Sequence, residues 1–184
     1  MSMKLPDYKK IYALLDEASP LDTDCGLLCG AACCQQDASE EEMGMYLLPG
    51  EASVHDRNDP WLDWSEDDAE DYDFPESWTG KVDFVCCHGP GSCRRELRPV
   101  QCRTFPLAPH LTEDGRLCMI INDMELPYAC PLITNYEKLN PQFIINAHKA
   151  WKLLIKEQRI RDLVEEDSRY RDSYEHEYVI AYIE

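Results

Sequence analysis

The chain is short of bases and has no long apolar run. Lysine and arginine number 18 against 36 aspartates and glutamates over 184 residues, a formal charge of −18. So negative a surface repels phosphate backbones and anionic lipid, which argues against nucleic-acid binding and a membrane-surface role. Nowhere do about eighteen apolar residues follow one another, so no transmembrane helix is expected. The opening MSMKLPDYKKIYALLDEAS lacks the apolar h-region and cleavage site of a secretory signal, and a cytoplasmic protein is expected. Catalytic signatures are missing too. There is no nucleophile–base pair, no phosphate-binding glycine loop and no internal repeat. His88-Gly-Pro-Gly lacks the flanking strand and helix that a dinucleotide loop needs.

Cysteine is what the chain has in excess. Cys25, Cys29, Cys33 and Cys34 stand as C-x3-C-x3-C-C; Cys86, Cys87, Cys93 and Cys102 form a second cluster; Cys118 and Cys130 follow. In a reducing compartment such bunching points to metal or reactive thiols rather than structural disulfides. Thiolate is a soft ligand suited to zinc or an iron–sulfur centre. The spacing fits neither paired C-x2-C knuckles nor C-x2-C with H-x3–5-H, and it differs from the bacterial ferredoxin run. A ligand set drawn from both clusters is the natural expectation: Cys25, Cys29, Cys33, Cys34, Cys86, Cys87, Cys93, Cys102 and Cys130, with the choice between Cys86 and Cys87 open. Cys118, on an apolar stretch, reads as a buried core thiol.

Four thiolates around Zn²⁺, or around a [4Fe–4S]²⁺ core, leave a formal charge of about −2 and call for nearby cations. Arg94, Arg95, Arg98 and Arg103 fall within ten residues, opposed by Glu96. Arg94, Arg98 and Arg103 are therefore expected to neutralise the cage or to bind an anion beside it. His88 and His110 are weaker candidates to complete a Cys3His site. His55, His148 and His176 read as surface or helix-face residues.

The length suits one domain, 1–184. A helix is expected from Asp7 to Ala18, with Tyr8, Ile11, Tyr12 and Leu15 on one face and Ser19-Pro20 ending it. Gly26 and Gly30 predict a short, loosely helical knuckle with Cys25, Cys29 and Cys33 on one face. Short strands are expected at Met45–Leu48, Val82–Cys86 and Leu117–Ile121, the last after a turn at Glu113–Arg116. Pro106 predicts extended backbone over Arg103–Leu107. Asn140-Pro141 opens a helical third over 140–172, with a Glu157–Arg161 pair on its polar side. The tail Tyr178–Ile183 reads as a last strand or a docked terminus. The fold class is α+β: a small cysteine-rich core of short strands and loops over 25–131, flanked by helices.

Between Gln36 and Ser77 there are fifteen acids and one base, Arg57. This segment reads first as a solvated, partly irregular insertion whose aromatics pack back onto the domain. The second reading is a docking surface for a basic protein partner, anchored by Trp61, Trp64, Tyr72, Phe74 and Trp78.

CGLLCGAACC (Cys25–Cys34), CCHGPGSC (Cys86–Cys93) and above all RPVQCRTFPLAP (Arg98–Pro109) together resemble the YkgJ-type cysteine-cluster family. That family is described as zinc- or iron-chelating and includes the flagellin lysine-N-methylases. Its Arg-Pro-x-x-Cys-Arg-x-Phe-Pro segment is matched by Arg98, Pro99, Cys102, Arg103, Phe105 and Pro106, and its later Cys-Pro by Cys130-Pro131. The chain departs from it in the leading Cys25, the doubled Cys86-Cys87 and the acidic insertion. The resemblance implies a metal-binding protein holding zinc or iron. An alternative is an iron–sulfur enzyme that uses S-adenosylmethionine near Arg98 and Arg103. A thiol redox sensor is a third possibility that the residues leave open.

Overall fold

The computed structural model describes residues 5–35, 44–173 and 178–184. The fold is α+β, with two three-stranded antiparallel sheets and helices packed mainly against the second. The first sheet joins β1 (Gly44–Tyr46), β2 (Leu62–Asp68) and β3 (Lys81–Cys87) in the order β1-β3-β2. The second joins β4 (Leu107–Leu111), β5 (Leu117–Ile121) and β6 (Ile180–Ile183) in chain order.

Helix α1 (Tyr8–Asp16) starts where the Asp7 carboxylate accepts the Lys10 amide at 3.2 Å, an N-cap bond. It buries Tyr8, Ile11, Tyr12 and Leu15, the expected face. It packs on α5 (Pro141–Leu154), where the Asn146 amide reaches the Leu14 carbonyl at 3.0 Å. Asn140 caps α5 by accepting from the Gln142 amide at 2.9 Å. Helix α6 (Gln158–Ser173) lies on β4, and its Ser168 hydroxyl accepts the Leu111 amide at 2.9 Å. The main core gathers α1, α5, α6 and the second sheet; a smaller one holds Leu47, Trp61, Leu62 and Val85.

Several expectations need correction. The described part of the acidic stretch is only partly irregular, as expected, but it also supplies a strand the sequence did not mark, β2, paired along its length with β3. Carboxylates mask this strand's alternation, because Leu62 and Trp64 share their face with the exposed Glu66 and Asp68. The aromatics are committed inward. Trp61 and Trp78 are buried, Phe74 stacks on Trp78 at 4.3 Å, and the Trp78 indole donates to the Arg159 carbonyl at 2.8 Å. Arg57 covers Trp64. A basic partner would therefore meet carboxylates here without those aromatic anchors. Residues 36–43 of the stretch lie outside the described residues.

The backbone before Phe105 is a short helix, α3 (Val100–Thr104), because Pro106 constrains its predecessor and not the whole run. Glu157 is buried rather than on a polar face. It accepts from the Ile160 amide at 3.0 Å at the start of α6 and from Arg159 at 2.8 Å, while Arg161 pairs with Glu165 at 2.8 Å. The helical third is thus two helices, α5 and α6. Strand β1 ends at Tyr46, short of Leu48. The tail forms β6 on β5.

Candidate metal centre

The first cysteine cluster is a reversal of chain direction. Cys25 precedes a single turn of helix, α2 (Gly26–Cys29), and the Asp24 carboxylate accepts the Gly26 amide at 2.9 Å. Gly30 and Ala31 then both adopt left-handed backbone, with φ of 64° and 57°. Glycine does this freely; an alanine pays roughly 1–2 kcal/mol. The double reversal leads into a 3-10 turn over Ala32–Cys34 that sets the Cys33 and Cys34 sulfurs 3.7 Å apart.

The second cluster comes from the end of β3, the loop after it, and α3. Strand alternation separates the doubled cysteine. Cys86 and Phe84 lie over Gly44, where an added Cβ would meet the Cys86 sulfur at 2.6 Å. Cys87 points to the other face, with Met45, Leu62 and Val85. Cys93 receives a hydrogen bond from the Arg98 guanidinium, Nε to Sγ, at 2.8 Å. Cys102 rides on α3, with its sulfur 3.7 Å from that of Met45. Cys130 stands at the start of a short helix, α4 (Pro131–Thr134).

These elements meet at two adjoining cavities. The first, of about 320 Å³, is lined by Cys25, Cys29, Cys33, Cys102 and Cys130 with Arg95, Arg98 and Arg103. The second, of about 190 Å³, is lined by Cys33, Cys34, Cys87, Cys93 and Cys102 with Arg98. Phe105 and Tyr128 line both. Among the described residues, no three His, Cys, Asp or Glu side chains already stand together at metal-ligand geometry. The thiols line the walls rather than converge on one point. Their number, softness and shared arginine fit a thiophilic metal, as does their gathering from distant parts of the chain.

The arginines differ in employment. Arg94 turns away to Asp59 at 2.9 Å and Glu96 at 3.3 Å, and lines neither cavity. Arg95 pairs with Asp24. Arg103 is buried, bonds the Glu96 carbonyl at 3.0 Å and pairs with Asp16. Arg98 alone donates directly to a thiol.

Burial pushes the Cys25 and Cys93 thiols up, and pushes Cys102 up to about 12 despite access through the cavity, the Cys34 and Cys87 sulfurs adding to it. Cys33 is raised by its hydrogen bond to Cys34. The same bond lowers Cys34 to about 6, with help from Arg98 and Arg95. Burial pushes Tyr128 up to about 12, beside Cys33 and Cys130.

Among the described residues, no histidine lines either cavity. His88 pairs with Asp63 at 2.8 Å, and His110 is buried on β4, 2.9 Å from the Tyr178 hydroxyl. His148 is a helix-face residue, on the face that α5 lays on β5, where it is buried and bonds the Leu117 carbonyl at 3.1 Å. His55 is half-buried against Tyr12 and Trp64, and His176 lies outside the described residues. Cys118 is fully buried in the core, as expected.

Sequence reasoning missed Glu51. It is fully buried and accepts from Tyr12 Oη at 2.9 Å and from the amides of Val100 at 2.7 Å and Leu48 at 3.0 Å. It thereby fixes α1 to the start of α3. Among fifteen acids, nothing in the sequence marks this one. Tyr128, two residues before Cys130, was also missed.

No family model, curated protein or solved structure matches this chain.

Proposed function

We propose that the protein binds zinc or iron through its clustered cysteines, with the knuckle and the Arg-Pro loop contributing to one centre. The observation that carries this reading is the meeting of Cys25–Cys34, Cys87–Cys102 and Cys130 at two adjoining cavities that share Arg98. Chain segments so far apart in sequence gather soft donors and a guanidinium in one place. A guanidinium on Cys93 favours the thiolate form that a metal requires. When bound, the metal would supply cross-linking of the knuckle to the core, and an electron-transfer or Lewis-acid centre if a coordination position stays open. The resemblance to the YkgJ-type family belongs to the same reading.

The methyl-transfer alternative would need Arg98 or Arg103 free for the carboxylate of S-adenosylmethionine. Arg103 is already paired with Asp16 and Arg98 donates to Cys93, which favours binding over catalysis. The test is metal analysis of protein purified without oxygen. Zinc or iron at a whole-number ratio to protein is expected, colourless for zinc and brown for iron–sulfur. Folded, metal-free protein that takes up neither metal would refute the reading and favour the redox-sensor alternative.

A further inference from the structure

Eight thiols are too many for one four-coordinate ion, and they do not share one space. Cys25, Cys29 and Cys130 line the first cavity and not the second; Cys34, Cys87 and Cys93 line the second and not the first. Cys33 and Cys102 stand in the wall between them. The 3-10 turn over Ala32–Cys34 is the dividing device. It separates two consecutive cysteines, so that Cys34 lines the second cavity alone while its neighbour shares the wall.

We infer that the chain holds two neighbouring four-thiolate centres: Cys25, Cys29, Cys33 and Cys130 take one divalent thiophilic ion, and Cys34, Cys87, Cys93 and Cys102 take the other. This rests on the metal-binding reading above and divides its single cage in two. Cys102 belongs with the second set because its sulfur lies 3.7 Å from that of Met45, which lines the second cavity and not the first; Cys33 then completes the first. Each zinc with four thiolates leaves about −2, and a pair leaves about −4. Arg98 lines both cavities with its Nε on Cys93, and Arg95 and Arg103, each also paired with an aspartate, line the first.

Native mass spectrometry of the full chain, reduced, stripped of metal and titrated with Zn²⁺ without oxygen, tests this. Two zinc ions per wild-type chain are expected. One each is expected for Cys130→Ser and for Cys93→Ser, and none for the double variant. If either single variant fails to fold by circular dichroism, Cys29→Ser and Cys87→Ser replace them. One zinc per wild-type chain, lost in both single variants, would overturn the two-centre inference while leaving the metal-binding reading standing. Two ions lost together from a single variant would overturn the partition. No zinc bound by wild type, and none of the iron sought in the anaerobically purified protein, would overturn the metal-binding reading itself.

Discussion

Cys86 and Cys87 are adjacent in the chain and opposite in the fold, because successive residues of a strand face opposite sides. Cys87 is therefore expected to be a ligand and Cys86 a packing residue over Gly44. Cys86→Ala should keep full metal content while Cys87→Ala loses part of it, as read by metal-to-protein ratio. Equal loss in both would place Cys86 in the centre. Arg98 is the one arginine that bonds a thiol directly. A hydrogen bond to a charged group contributes roughly 1.5–3 kcal/mol, so Arg98→Gln should weaken zinc affinity by about tenfold or more in a chelator competition. The same substitution at Arg94, which turns to Asp59, should leave affinity unchanged. The sequence marked all these residues as a group. It could not separate them, because which side of a strand or turn a side chain takes depends on partners far along the chain.

At the scale of elements, Glu51 and Trp151 hold α3 in place. Glu51 receives the Val100 amide, and the Trp151 indole reaches the Thr104 hydroxyl at 3.3 Å. Glu51→Ala would leave the buried amides of Leu48 and Val100 without an acceptor and Tyr12 Oη with His55 alone. At about 1–3 kcal/mol for each such group, a loss of roughly 3 kcal/mol in urea denaturation is expected, and a neutral result would deny the role. The second sheet carries a pH dependence. Burial holds His110 below its ordinary value, with Asp172 at 3.6 Å, Tyr178 bonded to it, and Arg171 and Asp123 nearby. Below about pH 6.5 the unfolded chain takes up a proton here that the folded chain resists. The stability contributed by neutral His110 is thus present above that value and declines as pH falls. His110→Gln should flatten the fall in unfolding free energy between pH 7.5 and 5.5; an unchanged slope would place the dependence elsewhere. Element ends with a local signal, Asp7 and Asn140, were legible in the sequence. Strand β2 was not, since carboxylates mask its alternation, and neither was α3, whose five residues carry too few positions for a period.

For the whole molecule, the acidic stretch and the cysteines turn out to be parts of one construction. The stretch supplies β2, which flanks β3 and carries Leu62 into the wall of the second cavity. Its aromatics close the domain on themselves, which the composition alone could not decide. Among the described residues no helix is long and apolar enough to cross a membrane. What the sequence could show was that the chain is built around thiols. That they gather at adjoining cavities follows from antiparallel pairing of β3 with β1 and β2, and from helix packing between segments more than a hundred residues apart. The central claim is that metal draws on both cysteine clusters, and alkylation mapped by mass spectrometry tests it directly. Zinc added to the metal-free protein should protect Cys25, Cys29, Cys33, Cys34, Cys87, Cys93, Cys102 and Cys130 together, leaving the labelling of Cys86 and Cys118 unchanged. Protection confined to one cluster, or absent from both, would contradict the account.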